Sequence, residues 1–454
     1  MGDNILQKDL EVTLEPFLGQ VYKGAGTCFL RMARQLFYGI LRSGSTLVSD
    51  IVRANHPETL RPDKEEMERC SEWLLRGDEK ERKKRAGKRK CKAERPDEIG
   101  FARPVNAWLH EHYLKGVEQD AGVAFDNSDI SKLYGGEGME GMELGHDGSS
   151  KEPHMGHLFA AATLVPDGNL VPKPLHVRLQ RGKHAPLELL KKAIEEVMTE
   201  AKNRPIGIVD REGDAADFLL WCIGKGYRMV ARIKEMGRDT AGTGEGVAEA
   251  LSHEAWRAVR LKRLNGHWQP ATVRHRVGWI GRTDKARKDE RSEYRRALMV
   301  ESRFDEKSLY FYMTLPEEEF GDAEKLSARA EQAAQLYMNR WQIEISFLRV
   351  KRDYGLEKAR VRKFARLENL LALCYLCHVF THFVLPAAER YGRIVKVIKD
   401  NFREVCLRAN VLLEHVRALL GMEKVRYITG RPRGRRRGDE EPLRHVQMTL
   451  RLAF

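Results

Sequence analysis

The run Ile206-Gly207-Ile208-Val209-Asp210 decides the fold. It is a short, continuously apolar stretch that ends in an acid. Such a run reads as a β-strand. Before it, Leu187 to Lys202 has helical periodicity. After it come a helical stretch, Ala215 to Gly224, and another strand, Met229 to Ile233. Upstream, Gly122-Val123-Ala124-Phe125-Asp126 is a second apolar run ending in an acid. His157 to Val165 and Leu175 to Gln180 read as further strands, after a Gly-rich stretch from Gly135 to Gly148. Strands and helices in this order predict an α/β core with a mixed sheet and flanking helices.

Downstream, short β-prone segments at Ala258 to Leu264, Thr272 to Ile280, Arg296 to Ser302 and Leu309 to Thr314 suggest a β-rich insertion. A long helix is expected from Asp322 to Lys351, and a buried one from Asn369 to Leu385, short of the ~20 apolar residues a membrane span needs. Residues 1–75 read as helical. Phe29 to Leu41 carries a buried face, Gly44 breaks it, and Ser45 is placed to cap a following helix. That pattern fits a DNA-binding helix-turn-helix or two packed helices of any all-α domain. The expected organisation is 1–75, a helical N-terminal DNA-binding domain, and 76–118, a basic linker. Residues 119–234 and 316–365 are expected to form the two parts of the α/β core, around an insertion at 235–315. Residues 366–454 form a helical C-terminal region with a basic tail.

The charge balance names a partner class. Of 454 residues, 80 are Lys or Arg and 66 Asp or Glu, a net charge of +14. This points to a polyanion, most simply nucleic acid, with an anionic membrane surface as rival. Lys80 to Lys92 is a dense basic run, including Lys83, Lys84, Arg85, Lys88 and Arg89, suited to a solvated linker or a phosphate-contacting arm. A second basic run spans Arg431 to Arg437. A hydrophobic fraction of 42% excludes wholesale disorder. Seven scattered cysteines do not make a disulfide framework, and Cys374 and Cys377 lack a second pair at zinc spacing. The opening Met1-Gly2-Asp3-Asn4 has no basic n-region or apolar h-region, so no signal peptide is expected. No phosphate-cradling Gly-rich loop calls for ATP.

The chemistry centres on acids at strand ends. Asp126 and Asp210 would lie at the functional crevice of an open α/β sheet, although an acid there can also be a cap. On the downstream helix, Tyr337, Arg340, Glu344 and Lys351 are three, four and seven residues apart. In one continuous α-helix they fall within an arc of about 60°. Trp341 and Leu348 beside them suggest a face turned to protein or ligand. Two Asp and one Glu suit hard divalent cations, Mg²⁺ with Mn²⁺ as substitute. Two such ions ~3.5–4 Å apart support in-line phosphoryl displacement.

Here the sequence resembles a known group. Tyr337-x2-Arg340-x3-Glu344-x6-Lys351 resembles the Y-R-E-K signature of DDE transposases of bacterial insertion sequences, in the cut-and-paste branch. Asp210-Arg211-Glu212-Gly213-Asp214 resembles that branch's second Asp segment, and Phe125-Asp126-Asn127-Ser128-Asp129 the first. Asn127 departs from the commoner small hydroxyl residue, which leaves Asp129 as a rival ligand. The spacings, 210 − 126 = 84 and 344 − 210 = 134, fit a ribonuclease H-like core with an insertion before the Glu helix. The resemblance covers residues 120–360. It implies catalytic and metal-binding roles for Asp126, Asp210 and Glu344, with two Mg²⁺ ions per site. It implies DNA contacts from Tyr337, Arg340, Lys351, Arg211 and Trp341. Tyr310 lies in Leu309 to Thr314, which resembles the strand where relatives carry an aromatic that stacks on a flipped base. The implied reaction is end cleavage, hairpin formation and strand transfer into target DNA. The implied partners are double-stranded DNA with terminal inverted repeats and a second copy of the chain, in the cytoplasm at the bacterial nucleoid. A ribonuclease H-like nuclease without strand transfer, or a catalytically silent DNA-binding relative, would share much of this pattern.

Overall fold

The computed structural model describes residues 2–56, 61–78, 100–131, 139–146, 153–165, 171–182, 185–210, 213, 215–234, 246–263, 267–282, 293–304 and 307–387. The basic run at 80–92, Arg211 and everything beyond residue 387 lie outside them.

Among the described residues, four helices come first: α1 (Gly2–Val21), α2 (Thr27–Ser43), α3 (Val48–Asn55) and α4 (Lys64–Trp73). Gly44, in the left-handed region at φ 57°, ends α2. Ser45 does not cap α3 as expected. Leu47 holds the cap position without a side-chain bond, and the Ser45 hydroxyl accepts from the Leu47 amide at 3.2 Å in a local turn. Helix α5 (Ala102–Leu109) continues into a π-helical turn, His110–Leu114. This packed helix lies where the sequence reading places a basic linker. Phe101, Val105 and Leu109 are buried.

The sheet holds β1 (Gly122–Ser131), β2 (Glu143–His146), β3 (Pro153–Val165), β4 (Lys173–Leu179), β5 (Ile206–Val209), β6 (Arg228–Arg232), β7 (Arg257–Lys262), β8 (Trp268–Arg282), β9 (Glu293–Phe304) and β10 (Lys307–Met313). Helices α6 (Pro186–Glu200), α7 (Ala216–Gly224) and α8 (Val247–Ser252) interleave with these strands. The order across the sheet is β2-β3-β1-β5-β6-β10-β9-β8-β7, with β4 also paired to β3. Strand β3 is antiparallel to β1, whereas β5 and β6 run parallel to it. This is the mixed sheet with flanking helices that the sequence predicts. The strands downstream of residue 256 extend the same sheet, because β10 pairs antiparallel with β6.

Alternation along the strands divides the core in two. Ala124, Ile208, Val230 and Phe311 face one side. Val123, Phe125, Val209, Met229, Ala231 and Tyr312 face the other, against α6 and α7. The first side is covered by α9 (Ala323–Asn339), α10 (Gln342–Asp353) and α11 (Phe364–Val379). Gly122 lets α9 settle onto β1, since a Cβ there would lie 2.6 Å from a Leu336 methyl. A π-turn (Phe380–Val384) and α12 (Leu385–Ala387) extend α11. The helical path Phe364–Ala387 is long and apolar enough to cross a membrane, but 72% of its most apolar window is buried in the protein. Cys374 and Cys377 are core residues of this helix.

The N-terminal helices share that core. Phe17 and Phe37 pack on Phe380 at ring distances of 5.4 and 5.5 Å, and Phe17 meets Trp108 at 5.3 Å. The turn between α2 and α3 docks on the end of α10. There Thr46 Oγ1 donates to the Gly355 carbonyl at 2.7 Å, and Gly355 adopts φ +63°.

Candidate active site

Strand register places the two aspartates. Residues 122, 123 and 124 of β1 pair with 206, 207 and 208 of β5, an offset of 206 − 122 = 84. Asp126 and Asp210 are also 84 apart, so each continues its strand to the same level. Parallel strands lie about 4.8 Å apart, and equal parity puts both side chains on one face. That face is the one under α9 and α10. Strand β5 ends at Val209, while β1 runs on to Ser131 held only by β3 in the described pairing. The sheet therefore opens beside Asp126.

The helix above this opening is not continuous. Helix α9 ends at Asn339 and α10 starts at Gln342. Between them the Arg340 amide bonds to the Tyr337 carbonyl at 3.1 Å, and the Ile343 amide to the Arg340 carbonyl at 3.0 Å. These three-residue bonds tighten the turn and shift the phase of the residues on either side. The expected single stripe of four is thus split. Tyr337, Arg340 and Glu344 converge on the aspartates. Lys351 instead meets Asp129 at 3.4 Å and Glu357 at 3.7 Å.

Arg340 sits at the centre. Its Nη1 lies 3.1 Å from Asp126 Oδ2, and its Nη2 lies 3.6 Å from Asp210 Oδ2 and 2.6 Å from Glu344 Oε1. The guanidinium side chain is 8% exposed, against 21% for Asp126 and 32% for both Asp210 and Glu344. Tyr337 donates its hydroxyl to Asp210 Oδ1 at 2.6 Å and packs on Phe311 at 4.6 Å. Burial, and next the Asp210 charge, push the Tyr337 phenol up to about 12, so it stays a donor. Burial pushes the Glu344 carboxyl up, and Arg340 opposes that rise. Burial alone would lower Arg340; Asp210, Tyr337, Asp126 and Glu344 reverse this and raise it. Asp126 accepts from the Asn127 amide at 2.9 Å, and the Asn127 side chain donates to the Pro186 carbonyl at 2.9 Å. The unusual Asn127 thus ties the strand end to α6.

Sequence reasoning missed Arg232. It ends β6, pairs with Phe311, and acts electrostatically on Tyr337. A cation closing the third parallel strand was the available signal. Trp341 is 56% exposed and Leu348 48% exposed, so neither faces the packed core. Tyr310 stands apart from the carboxylates. It belongs to the opposite side of the sheet, partly buried, and burial and Glu301 raise its phenol.

The donor chemistry, three carboxylates gathered about one cationic centre, fits a hard divalent cation. As the side chains stand, no group of three or more His, Cys, Asp or Glu among the described residues is closed enough to hold an ion. The guanidinium takes that central place.

Residues 160–380 match the family model described as the transposase DDE domain. No curated protein matches the chain. The matched stretch begins within β3, beyond Asp126, and includes Asp210, Tyr337, Arg340, Glu344 and Lys351. Residues 160–380 are therefore similar to a transposase DDE domain.

Proposed function

We propose that the chain is a cut-and-paste transposase that cleaves and joins DNA at transposon ends, with Asp126, Asp210 and Glu344 as its catalytic carboxylates. One observation carries this reading: Asp126, Asp210 and Glu344, far apart in sequence, all reach the same guanidinium. These three residues would hold Mg²⁺ or Mn²⁺. Such ions would supply activation of the attacking oxygen and stabilisation of the leaving one in phosphoryl transfer.

The chain's own residues then divide the work. Tyr337 orients Asp210 through its hydroxyl. Arg340 has a fork suited to phosphate oxygens. Lys351, anchored by Asp129, supplies a point charge at the rim. The basic run at 80–92 adds phosphate contacts with little sequence preference. Hairpin formation and strand transfer belong to this reading.

The test is cleavage of a duplex carrying the inverted repeats that flank the gene. Asp126→Asn and Asp210→Asn should each lower Mg²⁺-dependent nicking by at least about 10²–10³-fold, while DNA binding persists. Nicking at the parental rate in either variant would remove that aspartate from the site.

A further inference from the structure

We propose that Arg340 is the resident cation of the carboxylate site, and that loading of divalent ions is coupled to DNA binding through its departure. This rests on the reading of Asp126, Asp210 and Glu344 as an ion-binding group.

The argument begins with competition for atoms. The guanidinium already approaches one oxygen of each carboxylate: Asp126 Oδ2, Asp210 Oδ2 and Glu344 Oε1. A divalent ion needs oxygens of the same three groups, and it repels a guanidinium beside it. Arginine cannot yield by losing its proton. The guanidinium must therefore move before the ion is fully held.

Arg340 lies on the tight turn between α9 and α10, beside Asp210 and Glu344, whose side chains are each 32% exposed and so within reach of a ligand from solvent. Its destination is a phosphodiester, which accepts the same bidentate fork as a carboxylate. Arg232, which acts electrostatically on Tyr337, adds positive charge beside this cluster. A DNA phosphate would thus draw Arg340 away and free the carboxylate oxygens for the ion. Linkage makes the effect reciprocal, so bound ions tighten DNA binding. Without DNA, the site holds ions only weakly, and its hydrolytic chemistry is confined to the DNA complex.

The experiment measures Mn²⁺ binding by calorimetry on the full chain, without following any reaction. The parental protein should bind Mn²⁺ weakly alone and about tenfold or more tightly with end duplex present. Arg340→Gln should bind Mn²⁺ about tenfold or more tightly than the parental protein without DNA, and should lose the DNA-induced gain. Arg340→Lys keeps one charge and most of the stem but lacks the fork. It guards against a folding failure and should fall between the two. Unchanged or weaker Mn²⁺ binding in both variants would overturn the proposal. Glu344→Gln separates the two claims. If it loses Mn²⁺ binding while the Arg340 variants match the parental protein, the ion site stands and the gate falls. If no form binds Mn²⁺ even with DNA, both fail.

Discussion

Asn369 and Arg340 are both buried polar side chains that bridge three stretches of chain, yet they are built on opposite principles. Asn369, on α11, accepts from the Phe101 and Ala102 amides at 2.7 and 3.1 Å. It donates to the Leu74 and Arg76 carbonyls, both at 2.8 Å. Its two donors and its acceptor oxygen are all used, and the cluster is neutral. Gly100 approaches so closely that a Cβ there would lie 2.5 Å from the Arg76 carbonyl oxygen. Arg340 faces three carboxylates with one positive charge, and burial works against ionised Glu344. A complete, neutral hub specifies one arrangement. An unbalanced charged cluster in an opening is poised for a ligand. The first joins α4, α5 and α11, and the second joins the strand ends to the turn between α9 and α10.

That contrast can be broken by experiment. The largest stability effect is expected at the hub. Asn369→Leu strands two amides and two carbonyls and should cost roughly 3–5 kcal/mol in urea unfolding. A loss below about 1 kcal/mol would deny the hub its structural role. Gly39→Ala comes next. An added Cβ would lie 2.5 Å from Ile51 Cγ2 and 2.8 Å from the Ile51 carbonyl oxygen, so α2 and α3 must part. The cost should be about 1–3 kcal/mol. Because these helices share the α11 core, the shift should appear in the main unfolding transition. A separate transition for residues 27–55 would contradict the shared core.

Tyr337→Phe should act in the opposite sense. It removes only the bond to Asp210, so stability should change by about 1 kcal/mol or less. Metal-dependent cleavage should fall about 10–100-fold, as for a lost partner of a ligand. A stability loss as large as that of Asn369→Leu, with cleavage intact, would reverse the contrast.

The smallest effect concerns a polar site between these extremes. His110 meets His176 at 3.2 Å, and His176 meets Glu196 at 3.1 Å. Burial, and next the His176 charge, lower His110 from 6.5 to about 4. As pH falls below about 6.5, the unfolded chain takes up this proton and the folded chain does not. The His110 contribution to stability is therefore present above that pH and lost towards pH 4. His110→Gln should flatten the stability profile between those values. An identical slope would show that His110 titrates normally.

Much of the site was legible in sequence because it sits where periodicity is simple. Asp126 and Asp210 close short apolar runs, and their separation equals the strand offset. Glu344 was legible from its spacing to Arg340. What escaped depended on tertiary context. Residues 127–131 look like a polar loop but extend β1, because β3 offers an edge as far as Gly156. Helix α5 has eight residues and no side-chain cap. Its evidence is burial against α1 and α11. The break at Arg340 could not be read either, since both sides keep helical composition. Lys351 therefore seemed to join the carboxylates, although it pairs with Asp129.

The most direct test of the central claim is strand transfer by Glu344→Gln on pre-nicked transposon ends with Mg²⁺. Gln keeps the shape of the side chain and removes one charged oxygen ligand. The account predicts a folded protein that binds ends and joins no DNA to target. Joining at the parental rate would show that Glu344 is not a ligand, and the carboxylate site would fail at its centre.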